Sequence, residues 1–221
     1  MLQAPVLVVA PHPDDESIGC GGLIATLRRC RLDVHIVVLT DGAGSHANSA
    51  SYPPCRLADL REQEALEALA ILGVASDAVA FWKLADRFVP DRGSAGFESV
   101  VARAQMQLHD LRPATLVIPA RADSHGDHCA AWAIWTEAAA RLPVKPCILE
   151  YLVWPGPEAE PEGRVWRLDI DAVLSVKQCA IAAHRSQHGQ VIEDDPDGFC
   201  LPDDLLARAM EPWECFYERA P

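Results

Sequence analysis

The sequence predicts an α/β fold, a Rossmann-like doubly wound and mostly parallel sheet in a single domain spanning residues 1–221. Three observations predict it. Strand-like and helix-like patterns alternate from the first residues onward. The early strand candidates are near-continuous apolar runs, as expected of strands covered on both faces. The third is scale: 221 residues, 50% hydrophobic and 23% charged, can bury one full core. The sequence holds no internal repeat and no linker long enough to divide it.

Val6–Ala10 is the first buried strand, and Ile18–Cys30 the helix after it, entered through Gly19, Gly21 and Gly22, small enough to let it sit close to the sheet. Val34–Thr40 is the second strand, ending in Asp41-Gly42, which starts a loop. Ser45–Pro54 is small and polar and is expected to be a mobile segment over the strand ends. Leu57–Leu72 carries apolar residues at helical spacing and stops at Gly73. Ala78–Leu84 is the third strand, Phe97–Leu111 the next helix, and Thr115–Pro119 the fourth strand. The loop Ala120–Cys129 leads to a helix over Ala130–Leu142. Ile148–Trp154 and Val165–Ile170 read as later strands, split by the Pro- and Glu-rich loop Pro155–Gly163. Asp171 is expected to cap a helix from Ala172 to about His184, followed by a short helix around Leu205–Met210 and a terminal stretch at Trp213–Tyr217.

A net charge of −13 repels phosphate backbones and anionic lipid, so nucleic acid is excluded as a partner and a small neutral or cationic substrate fits. The eight cysteines are scattered, with no Cys-x-x-Cys pair, and read as reduced, mostly buried thiols of a cytoplasmic protein. No secretory signal is evident before the first strand, and the longest apolar runs fall far short of a membrane span. A homo-oligomer is compatible with the sequence.

The chemistry is concentrated in two runs. Pro11-His12-Pro13-Asp14-Asp15-Glu16 follows the first strand at its carboxyl end, where open α/β sheets bind ligands. His12 and Asp15, three apart, suffice for two ligands of a divalent metal and leave Asp14 free to move protons. The plainer alternative is an acidic turn in which Asp15 caps the next helix. The second run, Asp123-Ser124-His125-Gly126-Asp127-His128, lies just past the fourth strand. In the common order 3-2-1-4-5, strands 1 and 4 are neighbours at the switch point, so the two runs would face each other across the crevice. Two His and one Asp leave an open position for water, as catalytic zinc sites do.

Together these runs resemble the LmbE-like (PIG-L) family of zinc N-acetylglucosaminyl deacetylases. Arg61-Glu62-Gln63-Glu64-Ala65 with Leu72-Gly73, Asp86 after the third strand, and Lys177 to His184-Arg185-Ser186-Gln187 are similar to further family segments. Gly126 stands where the family usually has Pro, and Cys129 where Arg is frequent. The resemblance implies that His12, Asp15 and His128 bind one zinc per chain and that Asp14 is general base and then acid. It further implies that His125 stabilises an oxyanion with Asp127 holding its ring, and that Arg61 and Asp86 contact sugar hydroxyls of an amino-sugar conjugate. An amidase for a larger amide and a non-catalytic sugar-binding module are the alternatives.

Several other features carry less. Gly19-Cys20-Gly21-Gly22 is not the dinucleotide fingerprint, and Ser17 and Ser45 lack a nucleophile elbow. Cys129 adjoins a ligand candidate but reads as a packed thiol. His35 and His109 read as structural. Lys177 and His184 share a helical face, where packing and a site role are both open. The six Trp read mostly as core, with Trp154 a candidate sugar platform.

Overall fold

The computed structural model describes residues 2–156 and 163–219. Among the described residues, seven strands form one sheet in the order β3-β2-β1-β4-β5-β7-β6. The strands are β1 (Val6–Ala10), β2 (Val34–Thr40), β3 (Val79–Leu84), β4 (Thr115–Pro119), β5 (Cys147–Tyr151), β6 (Arg164–Asp169) and β7 (Trp213–Glu218). The pairs β1–β2, β1–β4, β2–β3 and β4–β5 are parallel, whereas β7 runs antiparallel to both β5 and β6. Strands 1 and 4 are therefore adjacent, with the chain leaving them in opposite directions, and the expected switch point is present.

The helices are α1 (Asp15–Arg29), α2 (Pro54–Ile71), α3 (Phe97–Leu111), α4 (Gly126–Ala140), α5 (Leu174–Ala183) and α6 (Asp203–Ala209). Alternation along β1 decides what each face of the sheet packs against. Val6, Val8 and Ala10 join Ile24, Leu69, Ile181 and Leu205 of α1, α2, α5 and α6 in one core. Leu7 and Val9 join Val101, Leu108, Ile134 and Trp135 of α3 and α4 in the other. The close seating of α1 is set by its glycines: a Cβ at Gly19 would strike the Tyr151 ring, and one at Gly22 would lie 2.6 Å from Ile170.

Several expectations need correction. α1 and α4 begin earlier than apolar periodicity suggested, at Asp15 and Gly126, so both chemical runs enter the first turn of a helix. Asp171 lies within a short 3₁₀ turn, Asp171–Val173, ahead of α5, and its side chain makes no cap. Ser45–Pro54 is not loosely attached: Ser45, His46 and Ser49 are buried, Asp194 accepts from Ser49 Oγ at 2.6 Å, and Asp195 accepts from Asn48 N at 3.0 Å. All eight cysteines are free, but only Cys20 is buried. The remaining thiols lie on exposed or half-buried positions of the elements, so scattered Cys spacing did not report burial. Only Trp82 and Trp135 of the six Trp are core residues. The others are partly or well exposed, several with an Arg over the ring, where the indole body covers surface. Trp154 is partly buried, with its ring edge-on to Phe199 at 6.0 Å. Part of the Pro155–Gly163 loop lies outside the described residues.

Candidate active site

At the carboxyl ends of β1 and β4 the first turns of α1 and α4 face each other. His12 sits between carboxylates: its Nδ1 is 3.1 Å from Asp15 Oδ2, and its Nε2 is 3.1 Å from Asp127 Oδ2 and 3.3 Å from Asp86 Oδ1. Burial favours the neutral ring, yet Asp127, Asp15 and Asp86 together hold the His12 pKa well above its ordinary value. Those contacts hold Asp86 down at about 2, against the upward push of its own burial. His128, fully buried, has Nδ1 3.0 Å from Asp123 Oδ2 and Nε2 3.1 Å from Asp15 Oδ2. Burial is again outweighed, by Asp15 and Asp123, and the His128 pKa rises to about 9.

This donor set fits a metal ion. Asp123 takes the Nδ1 proton of His128, as carboxylates behind metal-ligating imidazoles do. That leaves Nε2 buried, facing a carboxylate, and without a hydrogen-bond partner. Two lone pairs in that position repel unless a proton or a cation lies between them, and the raised His128 pKa expresses the same demand for positive charge. His12 Nδ1 and His128 Nε2 both flank Asp15 Oδ2. Two tighter groupings, with donor atoms within 4.8 Å of one another, are His12–His125–His128 and His12–Asp86–Asp127, and His12 belongs to both.

Asp14 is buried beside this cluster, with Oδ2 3.0 Å from Arg61 Nη2. Burial raises its pKa to about 6, in part offset by the Arg61 charge. Its backbone has φ 153° and ψ −24°, a conformation that a non-glycine side chain resists by about 1–3 kcal/mol. Asp15, which the same burial would push upward, is held far below the usual carboxylate range by His128 and His12. Neighbours in sequence therefore have opposite characters, one carboxylate poised to titrate near neutrality and one fixed as an anion.

His125 is the N-cap of α4, and its Nδ1 accepts from Asp127 N at 3.2 Å. Burial and the neighbouring His12 and His128 lower its pKa, so the ring is neutral at pH 7. With Nδ1 accepting, the proton resides on Nε2. Its ring stands edge-on to His12 at a centroid distance of 4.6 Å.

The residues named from sequence thus converge, and three of them make protein contacts that the expected roles did not include. Asp127 holds the His125 ring with its backbone N–H, while its carboxylate binds His12 and accepts from Arg87 N at 2.8 Å and Val89 N at 3.1 Å. The N-cap geometry places the backbone amide, not the side chain, under the ring. Arg61 is only 3% exposed, and its Nη atoms donate to Gly42 O, Pro13 O and Asp14 Oδ2, so it grips the first run from behind. Asp86 turns one oxygen to His12 and accepts with the other from Gly44 N at 2.9 Å. Lys177 belongs to packing, in a buried ion pair with Glu214 at 2.7 Å. Gly126 occupies the first turn of α4, with φ in the ordinary range and open space where a Cβ would be, a position that proline also favours.

Sequence reasoning missed Asp123 as a participant. Besides His128 Nδ1, its Oδ2 accepts from Val153 N and Trp154 N, and its Oδ1 accepts from His125 N at 3.0 Å. A carboxylate opening the second run, five residues before His128, was the available signal.

Known proteins share this fold. Solved structures with the same fold include a conserved protein from Thermus thermophilus, 29% identical over 100% of this chain and 96% of that one, at a TM-score of 0.70. The N,N'-diacetylchitobiose deacetylase from Pyrococcus horikoshii is 23% identical over 97% of this chain and 83% of that one, at 0.74. The 4-carboxy-2-hydroxymuconate hydratase GalB from Pseudomonas putida is 18% identical over 98% and 96%, at 0.76, so the fold alone does not fix the reaction. The model of the PIG-L family, described as GlcNAc-PI de-N-acetylase, matches residues 7–139, which include both chemical runs. The chain belongs to the PIG-L family.

Proposed function

We propose that this chain is a zinc-dependent hydrolase that removes the N-acetyl group from an N-acetylglucosamine-type amino-sugar conjugate. The observation that carries this reading is the division of labour at Asp14 and Asp15: a titratable carboxylate lies beside a buried set of His12, Asp15 and His128 whose facing acceptors call for a proton or a cation between them. Those three residues would hold a zinc ion, which when bound would supply Lewis acidity for the amide carbonyl and lower the pKa of water to about 7.

The chain's own residues supply the remainder. Asp14, poised at about 6, takes a proton from the attacking water and returns it to the departing amine. Arg61 fixes the carboxylate that does so. His125 presents Nε2–H to the carbonyl oxygen as negative charge develops there. Asp127 and Asp86 orient His12, and Asp123 orients His128. The aglycone is selected by the Ser45–Pro54 and Phe88–Gly96 loops. The acidic surface suits a product that carries a free amine. Mostly exposed, unpaired thiols are those of a protein working in a reducing, cytoplasmic compartment. No described helix is long and apolar enough to cross a membrane.

The test is a panel of N-acetylglucosamine conjugates assayed for acetate and free amine, with and without chelation. Acetate release that stops on chelation and returns with one equivalent of zinc supports the reading. Cleavage of a larger amide without acetate favours the amidase alternative, and saturable binding without turnover a sugar-binding module. Hydration of an unsaturated acid would overturn amide hydrolysis altogether.

A further inference from the structure

Glu16 ends the first chemical run and takes no part in the chemistry above, yet it is 0% exposed. Its carboxylate turns back along the chain. Oε2 accepts from Asp14 N at 3.1 Å, and Oε1 accepts from Ser17 Oγ at 2.8 Å and lies 3.5 Å from His184 Nε2. His184, 1% exposed, also places Nε2 3.1 Å from Ser17 Oγ, so the segment after α5 closes on the carboxylate from behind.

These contacts converge on the strained residue of the site. A non-glycine backbone at φ 153° persists only where the surroundings over-determine it. Arg61 grips Pro13 O and the Asp14 carboxylate, which fixes one side of the turn. The Asp14 N–H is shared between His12 O at 3.0 Å and Glu16 Oε2. Glu16 is therefore the side chain that holds the amide of Asp14 itself. Burying a carboxylate is costly unless its acceptors are filled, and Ser17 fills one of them.

We propose that Glu16 is a positioning residue: braced by Ser17 and His184, its carboxylate holds Asp14 in the strained positive-φ backbone conformation that aims the Asp14 side chain at Arg61 and the active site. The kinetic consequence rests on the role given to Asp14 above; the conformational claim does not.

The experiment is a melting cycle on the zinc-loaded chain, comparing Asp14→Gly with Asp14→Ala in the presence of Glu16 and of Glu16→Ala. Glycine removes the Cβ part of the strain at the observed backbone and alanine keeps it, so with Glu16 present Asp14→Gly should melt roughly 2–10 °C above Asp14→Ala. Without strain the order reverses, because glycine gives the unfolded chain more freedom. In the Glu16→Ala background the turn relaxes and the gap should close or change sign. A gap of equal size in both backgrounds overturns the proposal. If Glu16→Ala does not fold, Glu16→Leu, which keeps the bulk and has no acceptor for the Asp14 amide, should close the gap in the same way, and an unchanged gap again overturns it.

With N,N'-diacetylchitobiose as probe, Glu16→Ala should lower kcat by about 10–100-fold, with KM and zinc content unchanged and with Glu16→Gln recovering most of the loss. Loss of zinc in place of kcat would make Glu16 a support of the metal site and contradict the proposal. If wild-type protein releases no acetate from the panel, the deacetylase reading fails, while the melting cycle still decides the role of Glu16.

Discussion

The two ends of the sheet differ in what they bring together. At the amino ends of β4 and β5 lies an open groove of about 560 Å³, lined by Leu23, Leu149, Trp166, Leu168 and Phe216 with charges such as Lys145 at its border. At the carboxyl ends, buried His12, Asp14, Asp15, Asp123, Asp127 and His128 converge. The difference follows from direction. In a parallel βαβ arrangement the strand ends and the helix N-termini point the same way, so unsatisfied N–H groups and positive dipole ends collect at one edge. Carboxylates are stabilised there, and they in turn hold imidazoles protonated or metal-bound. The groove at the other edge is lined mostly by apolar side chains, with Gln3, Thr115, Lys145, Arg167 and Glu218 among them.

That contrast can be broken or sharpened by substitution. Asp14→Asn should keep metal and substrate affinity and lower kcat by about 10²–10⁴-fold, the usual contribution of general acid–base catalysis, read by steady-state kinetics alongside metal analysis. His125→Ala should also keep the metal and lose roughly 10²–10³ in kcat, as removal of one oxyanion donor does. Asp123→Ala acts one step further out. It should weaken metal affinity by about 10–100-fold in a chelator competition, because His128 loses the partner that fixes its tautomer. At the opposite end Trp166→Ala, which removes a half-exposed ring from the groove, should leave kcat/KM within about two-fold and cost no more than about 1 kcal/mol in denaturant unfolding. A large kinetic effect there would show that the groove communicates with the chemistry and would break the contrast.

Much of the carboxyl-end site was legible because it is local. The apolar run of β1 and the residues just after it are contiguous, and strand alternation put the second run beside the first. The order 3-2-1-4-5 is the common one for alternating strands and helices, whereas the antiparallel strand β7 between β5 and β6 was not read from the terminal stretch. What escaped depends on contacts between distant residues. That Arg61 would be spent on Pro13 and Asp14, or that Asp194 and Asp195 would tie down the loop after β2, requires knowing which loops meet. The role of Asp127 turned on whether its amide or its carboxylate faces His125, and only the N-cap geometry of α4 decides that. The exposed cysteines show a different limit: residue type gives an average tendency to be buried, and the face of the element on which each thiol falls overrode it.

The distinction between Asp14 and Asp15 is tested most directly by metal content and turnover measured on the same two variants. After zinc loading and removal of free metal, Asp15→Ala should retain no stoichiometric zinc and no acetate release, whereas Asp14→Asn should retain one zinc per chain and lose only kcat. Loss of zinc from Asp14→Asn, or near-full turnover by that variant with zinc bound, would contradict the assignment.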